Sequence, residues 1–335
     1  ACWIFVVVVL LVSFYFCCCC IIGVVVLLVW LYCWCGCIIC VVVLFGVVLL
    51  LVLLYCRCGC IIGVVVLLVW LYSWCGFIFG DGIYEVVPVI NGKLVDKQYF
   101  LERLERSLDE LSIAWPCCKE EYMAVLNQLI IKNNVQEGIV YSQVTRGVAD
   151  RDFPFPDDTD SSFVAFTSVM NILNSPDIKT GISVITTADL RWKRRDIKSV
   201  NLLGQVLAKQ DAISKNAIEG WMVEDGNVTE GVSSSAYIVK DNLLITRPLS
   251  NSILPGIRRR TLLEISKSAG IDVNERLFTV KEAMAADEAF ISSATTMALA
   301  VISIDGHKIG DGKPGPITQQ LRALYQERML KEASE

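Results

Sequence analysis

The 335-residue sequence has one histidine, His307, in the turn-like stretch IDGHKIGDG. That scarcity excludes HExxH zinc chemistry and every multi-histidine metal site. A Ser-His-Asp triad would have one candidate base, and no GxSxG elbow accompanies it, so a serine hydrolase is excluded as well. Charge is missing from one region: residues 1–80 carry a single charged side chain, Arg57, yet hold 13 of the 15 cysteines. The net charge of −5 gives no basic face, which argues against a nucleic-acid partner.

Repetition fills the uncharged region. Residues 21–36, IIGVVVLLVWLYCWCG, recur at 61–76 as IIGVVVLLVWLYSWCG, identical except at Cys33 and Ser73. Two copies are fewer than the roughly three repeats a solenoid needs to bury a core. Residues 37–55 form an apolar run close to the ~20 residues that span a bilayer, so a membrane anchor is one expectation. A metal or disulfide framework from Cys17–Cys20, Cys33, Cys35, Cys37, Cys56, Cys58 and Cys60 is another, although CxC is not the CxxC of zinc sites. A third is that residues 1–76 are not native sequence, which the near-perfect repeat and the missing initial methionine favour. A signal peptide is excluded by length and by the lack of a basic start.

From about Phe77 the composition is that of an ordinary globular protein. DGIYEVVPVINGKLV reads as short strands broken at Asn91-Gly92, a hairpin signal. Residues 98–112 place Phe100, Leu101, Leu104, Leu108 and Leu111 at spacings of three and four, which predicts an amphipathic helix, and 119–133 predicts a second. GIVYSQVTRG and SSFVAFTSVM read as strands around the loop RDFPFPDDTDSS. NILNSPDIK, 171–179, is the linker candidate. Beyond it come the strand GISVITTA, a helix over 199–216, strand pairs around WMVEDGNVTEG and SAYIVKDNLLITRP, a helix over 256–269, the strand EAFISSAT, and a final helix from Ile317. This order predicts an α+β protein, with the apolar segment 1–76, a small domain 77–173 and a larger domain 174–335.

Four motifs of the soluble part carry chemical possibilities. RRDIKSVNLLG places Lys198 where the pattern turns apolar, between a strand and a helix, in the kind of connection on which sites are built. The basic residues around it read as surface residues that add a positive field. VTEGVSSSAY puts Glu230 at a strand end before Gly231. SILPGIRRR opens a helix at Pro255-Gly256, and free amides at a helix start suit an anion. ISSATTM offers hydroxyls. Taken singly, these read as a solvated lysine, a turn carboxylate, an ordinary helix start and a polar loop. Together they fit a pocket for pyridoxal 5'-phosphate: a lysine amine for the aldehyde, an acid for the pyridine nitrogen, and amides and hydroxyls for the phosphate.

DGIYEVV, ERL, VTRG, RWKRRDIKSVNLLG, VTEGVSSSAY, ILPGIRRR and ISSATT stand in the order and spacing of the fold-type IV, class-IV aminotransferases, which the chain resembles from about Gly76 to its end, the D-amino-acid enzymes most. The resemblance implies a two-domain α+β fold and a homodimer. It makes Lys198 the Schiff-base lysine and proton shuttle, and Glu230 the partner of the pyridine nitrogen. Arg103 would bind the phosphate with the amides of Ile257 and Arg258. Leu254 would pack on the ring, and Ser233, Ser234 and Ser293 would bond cofactor or phosphate. Tyr84 would line the substrate side. Arg151 would take the substrate carboxylate, a task that its planar fork suits.

The chain also departs from that pattern. Phe153 replaces a histidine that usually follows the carboxylate arginine. Arg258 stands where a threonine is common; its charge either compensates for the lost hydroxyl or points to solvent. Ala294 lacks a hydroxyl. The family's first β-strands have no counterpart, because the repeats occupy their place. The resemblance implies transamination between an amino acid, a D-amino acid such as D-alanine, and a 2-oxo acid such as 2-oxoglutarate, in the cytoplasm or at a membrane if the apolar segment is an anchor. Branched-chain transamination, aminodeoxychorismate lyase activity and a non-catalytic membrane-tethered scaffold are the alternatives. The Lys198–Glu230 pair argues against the scaffold, which needs neither.

Overall fold

A computed structural model describes residues 75–334 and, in the first 74, the backbone of six strands: Ile4–Val7, Ile21–Ile22, Val26–Tyr32, Cys37–Leu44, Val47–Cys56 and Ile61–Ile62 (β1 to β6). Those six pair as one sheet in the order β2-β1-β3-β4-β5-β6. The cysteine framework expected there rests on side chains outside the described residues. Among the described residues no helix is long and apolar enough to cross a membrane. The chain divides into two compact units, residues 1–78 with 148–156, and residues 79–147 with 157–335.

The second unit holds two sheets. The smaller has four strands, Gly82–Ile90 (β7), Lys93–Leu94 (β8), Glu137–Thr145 (β9) and Ser162–Val169 (β10), in the order β10-β9-β7-β8. Asn91 and Gly92 join β7 to β8 with φ of 50° and 73°. Positive φ at both turn positions is the two-residue hairpin geometry that matches strand twist, and Asn-Gly is the pair that tolerates it. Two helices, Lys97–Glu110 (α2) and Lys119–Lys132 (α3), cover one face of this sheet; the short helix Cys75–Ile78 (α1) precedes it. Phe100, Leu104 and Leu108 of α2 repeat every four residues and pack with Tyr122 and Leu126 of α3 against Ile83, Val87, Val140 and Val144. The opposite face, carrying Tyr84, stays more open.

The larger sheet contains Ile182–Ala188 (β11), Glu219–Glu224 (β12), Asn227–Gly231 (β13), Ser235–Lys240 (β14), Leu243–Thr246 (β15), Val273–Glu275 (β16), Glu288–Ser292 (β17), Leu299–Ile304 (β18) and His307–Lys308 (β19). Its order is β13-β12-β11-β18-β17-β14-β15-β16, with β19 on β18. Five helices accompany it: Asp177–Thr180 (α4), Leu203–Ser214 (α5), Ile257–Ser268 (α6), Val280–Met284 (α7) and Pro316–Ser334 (α8). Ser235–Val239 is buried along its whole length, because both faces of the central strands are covered. Tyr237, Val239 and Phe290 pack under α6 and α8 with Leu262, Leu321 and Tyr325. Ala236, Ile238 and Ile291 point the other way, into a core with Trp221, Phe278, Leu299 and Val301. The α+β class expected from the sequence is the class observed.

Candidate active site

Lys198 lies in the connection between β11 and α5, and its backbone is sewn to β7. Tyr84 N–H donates to the Lys198 carbonyl at 2.9 Å, and Val200 N–H donates to Gly82 O at 3.0 Å. Ile197 is buried and belongs to the core of the smaller sheet. The lysine backbone is therefore fixed by the smaller sheet. Its Nζ sits 4.2 Å from the centre of the Tyr84 ring, close enough for a cation–π contact. Among the described residues this ammonium has no carboxylate partner.

Glu230 sits on β13, next to Gly231. A Cβ at Gly231 would lie 2.1 Å from Ser234 Oγ, so a side chain here would force that hydroxyl to turn away. Leu254 N–H donates to both Glu230 oxygens at 3.2 Å, and Arg191 Nη1 donates to Oε1 at 2.5 Å. Arg191 also forks onto Asp189, with Nε–Oδ1 at 2.9 Å and Nη2–Oδ2 at 2.7 Å. Burial pushes the Glu230 carboxyl above its usual range, and Arg191 and the Leu254 amide pull only partly against it. Burial opposes charge on Arg191 too, but Asp189 and Glu230 hold its guanidinium protonated, above its usual value.

Arg103 projects from α2 and forks onto buried Glu85, with Nε–Oε1 at 2.7 Å and Nη2–Oε2 at 2.6 Å. Its Nη1 donates to Pro255 O at 3.3 Å, at the start of α6. Gly256 caps that helix in an extended conformation, so the amides of Ile257, Arg258 and Arg259 have no partner within it. Ser233 Oγ donates to buried Glu219 at 3.2 Å, and Ser293 Oγ is 3.0 Å from Thr296 Oγ1.

These groups face one cavity of about 230 Å³. Tyr84, Arg103, Lys198 and Glu230 line it, with Ser233, Ser234 and Leu254, and with Ile257, Arg258, Ser293 and Ala294. Its size is slightly below the roughly 300 Å³ at which drug-sized ligand sites begin, which suits a single-ring ligand. Ser234 Oγ is buried in its wall with no hydrogen-bond partner. An orphaned buried hydroxyl is costly unless a ligand meets it. A lysine, a buried acid, free helix amides and an orphaned hydroxyl fit pyridoxal 5'-phosphate.

Two expected site residues are not part of this cavity lining. Arg151 and Phe153 belong to the segment 148–156, which groups with the other unit; the Arg151 guanidinium lies 5.6 Å from the Phe153 ring centre. The basic neighbours of Lys198 need a correction. Arg195 is buried and not at the surface, and it forks onto Glu224 at 2.8 Å. Arg191, Asp189 and Glu85 escaped the sequence reading. An arginine and an aspartate two residues apart before DIKS were the available signal.

The profile of the amino-transferase class IV family matches residues 82–304. The chain belongs to that family, a class of pyridoxal-phosphate-dependent aminotransferases that act on an amino acid and a 2-oxo acid. Among similar proteins, D-alanine aminotransferase of Staphylococcus aureus (strain MSSA476) is 39% identical over 75% of this chain and 89% of its own. The D-alanine aminotransferase of Listeria innocua is 40% identical over 77% and 90%. The branched-chain amino acid aminotransferase of Escherichia coli shares the fold, with a TM-score of 0.73 at 22% identity over 77% of this chain and 88% of its own.

Proposed function

We propose that the chain transfers the amino group of a D-amino acid, D-alanine in the first instance, to a 2-oxo acid such as 2-oxoglutarate. One observation carries this reading: Lys198, Glu230 and the helix start at Ile257 line one cavity. Relatives about 40% identical over most of the chain are D-alanine aminotransferases, which supports the choice of substrate.

Bound pyridoxal phosphate supplies an electrophilic aldehyde and a ring that accepts electrons from the substrate carbon. The residues have the remaining work. Lys198, whose Nζ lies over the Tyr84 ring, would be the amine that holds the cofactor aldehyde and would carry a proton at the substrate carbon. Glu230, oriented by Arg191 and the Leu254 amide, would hold the ring nitrogen protonated. Leu254 would pack on the ring. Arg103 and the amides of Ile257 and Arg258 would hold the phosphate, and Ser233, Ser234 and Ser293 would add hydroxyls; Ala294 would offer only its backbone. Tyr84 would line the substrate side; the role of carboxylate ligand that the resemblance implies for Arg151, with Phe153 near it, remains a proposal apart from this cavity. A homodimer, and small and large domains meeting at about residue 173, belong to the same reading.

Incubation of the full chain with pyridoxal phosphate, 2-oxoglutarate and either D- or L-alanine tests it. Pyruvate should form from D-alanine alone. Pyruvate from L-alanine alone, or from neither, overturns the assignment.

A further inference from the structure

Arg258 is the second residue of α6, directly after one of the amides proposed to hold phosphate. Its side chain does not reach solvent. It is 3% exposed, and its guanidinium pairs with Asp96 and donates to Tyr325 Oη at 2.6 Å. Tyr325 Oη in turn donates to Asp96 Oδ2 at 2.6 Å. Arg258 Nη2 reaches Ala294 O at 3.5 Å, and both Arg258 and Asp96 line the main cavity.

Asp96 occupies the position before α2 in the left-handed conformation, φ 57°, and its side chain does not cap that helix. Its carboxylate is free to reach Arg258 instead, while its own N–H donates to Glu332 at 2.9 Å on α8. Arg103, seven residues further along on α2, lines the same cavity. The pair thus joins the two helices that present the phosphate seat: α2 with Arg103, and α6 with its amides.

We infer that Arg258 and Asp96 act together as a positioning pair for the cofactor phosphate, with Arg258 neutralising a buried carboxylate that would otherwise repel it. The inference rests on the pyridoxal phosphate reading above. A buried charge that loses its partner costs far more than a pair removed whole. Deleting the cation alone therefore leaves Asp96 facing a dianion across a low-dielectric cavity, and deleting both charges removes that repulsion.

The test titrates cofactor into the apo form of the full chain and follows visible absorbance, with pyridoxal as a second probe read the same way and inorganic phosphate as a probe read by calorimetry. Arg258→Met should weaken pyridoxal phosphate and inorganic phosphate at least tenfold, and leave pyridoxal within about threefold. Asp96→Asn combined with Arg258→Met should recover most of that loss, and Arg258→Lys should fall between parent and Arg258→Met. Equal loss for pyridoxal and pyridoxal phosphate in Arg258→Met, or no recovery in the double variant, overturns the inference and leaves a purely structural pair. If Arg258→Met does not fold, the Arg258→Lys variant carries the same comparison. A parent chain that binds no pyridoxal phosphate defeats the underlying reading instead.

Discussion

Arg191 donates to Glu230 at 2.5 Å while forking onto Asp189 with its other nitrogens. The acid proposed for the ring nitrogen is therefore already held by a buried cation. Its carboxyl is raised by burial and restrained mainly by Arg191. Arg191→Met removes the restraint and raises it further. The ionised form is the working one, so activity is present above the carboxyl's pKa and disappears as pH falls through it. The acidic limb of the kcat–pH profile should move to higher pH in Arg191→Met. An unmoved limb contradicts the role given to this pair.

Asp196, two residues before the lysine, accepts from Arg106 at 2.5 Å and from two Arg194 nitrogens at 3.1 Å. Burial opposes its charge, yet Arg194 and Arg106 hold its carboxyl below the usual aspartate range. A depressed carboxyl contributes stability above its unfolded value, near ~3.9, and loses it as pH falls through the folded value. Both arginines are partly exposed, so the contribution is modest. Asp196→Asn should lower unfolding free energy by about 1–2 kcal/mol at pH 7, and the gap should narrow as pH falls below the unfolded value. Denaturant melts over a series of falling pH values check this.

Phe290 stacks on Tyr237 with centroids 4.4 Å apart, and both rings are fully buried between the larger sheet and its helices. Phe290→Ala leaves a cavity that the surrounding strands cannot close, and should cost ~3–5 kcal/mol. Phe290 does not line the active-site cavity, so the absorbance of bound cofactor in the protein that remains folded should not change. A shifted spectrum would show that the two regions are coupled.

The sequence displayed the fold where periodicity was strong. Phe100, Leu104 and Leu108 announced α2, and Asn91-Gly92 announced the hairpin. Helix α7 was not legible, because five residues carry too little periodicity; only its capping box between Thr279 and Glu282 marks it. The cavity was legible as motifs, since Lys198, Glu230 and Ile257 each sit in a distinctive local pattern. Their partners were not. Glu85 looked like a strand residue, Asp96 like a loop residue, and Tyr325 like one more apolar residue of a helix. Each matters through a contact with a residue far along the chain, 18 positions for Glu85 and Arg103 and 67 for Arg258 and Tyr325. Local pattern carries no signal for pairs that only the tertiary fold brings together.

The central claim is that one amine, Lys198 Nζ, holds the cofactor aldehyde. Borohydride reduction of the cofactor-loaded full chain, followed by digestion and peptide mass mapping, measures that bond directly. The pyridoxyl phosphate mass should appear on the peptide containing Lys198 and nowhere else, and should vanish in Lys198→Ala. A label on another lysine, or a label that survives the substitution, contradicts the account.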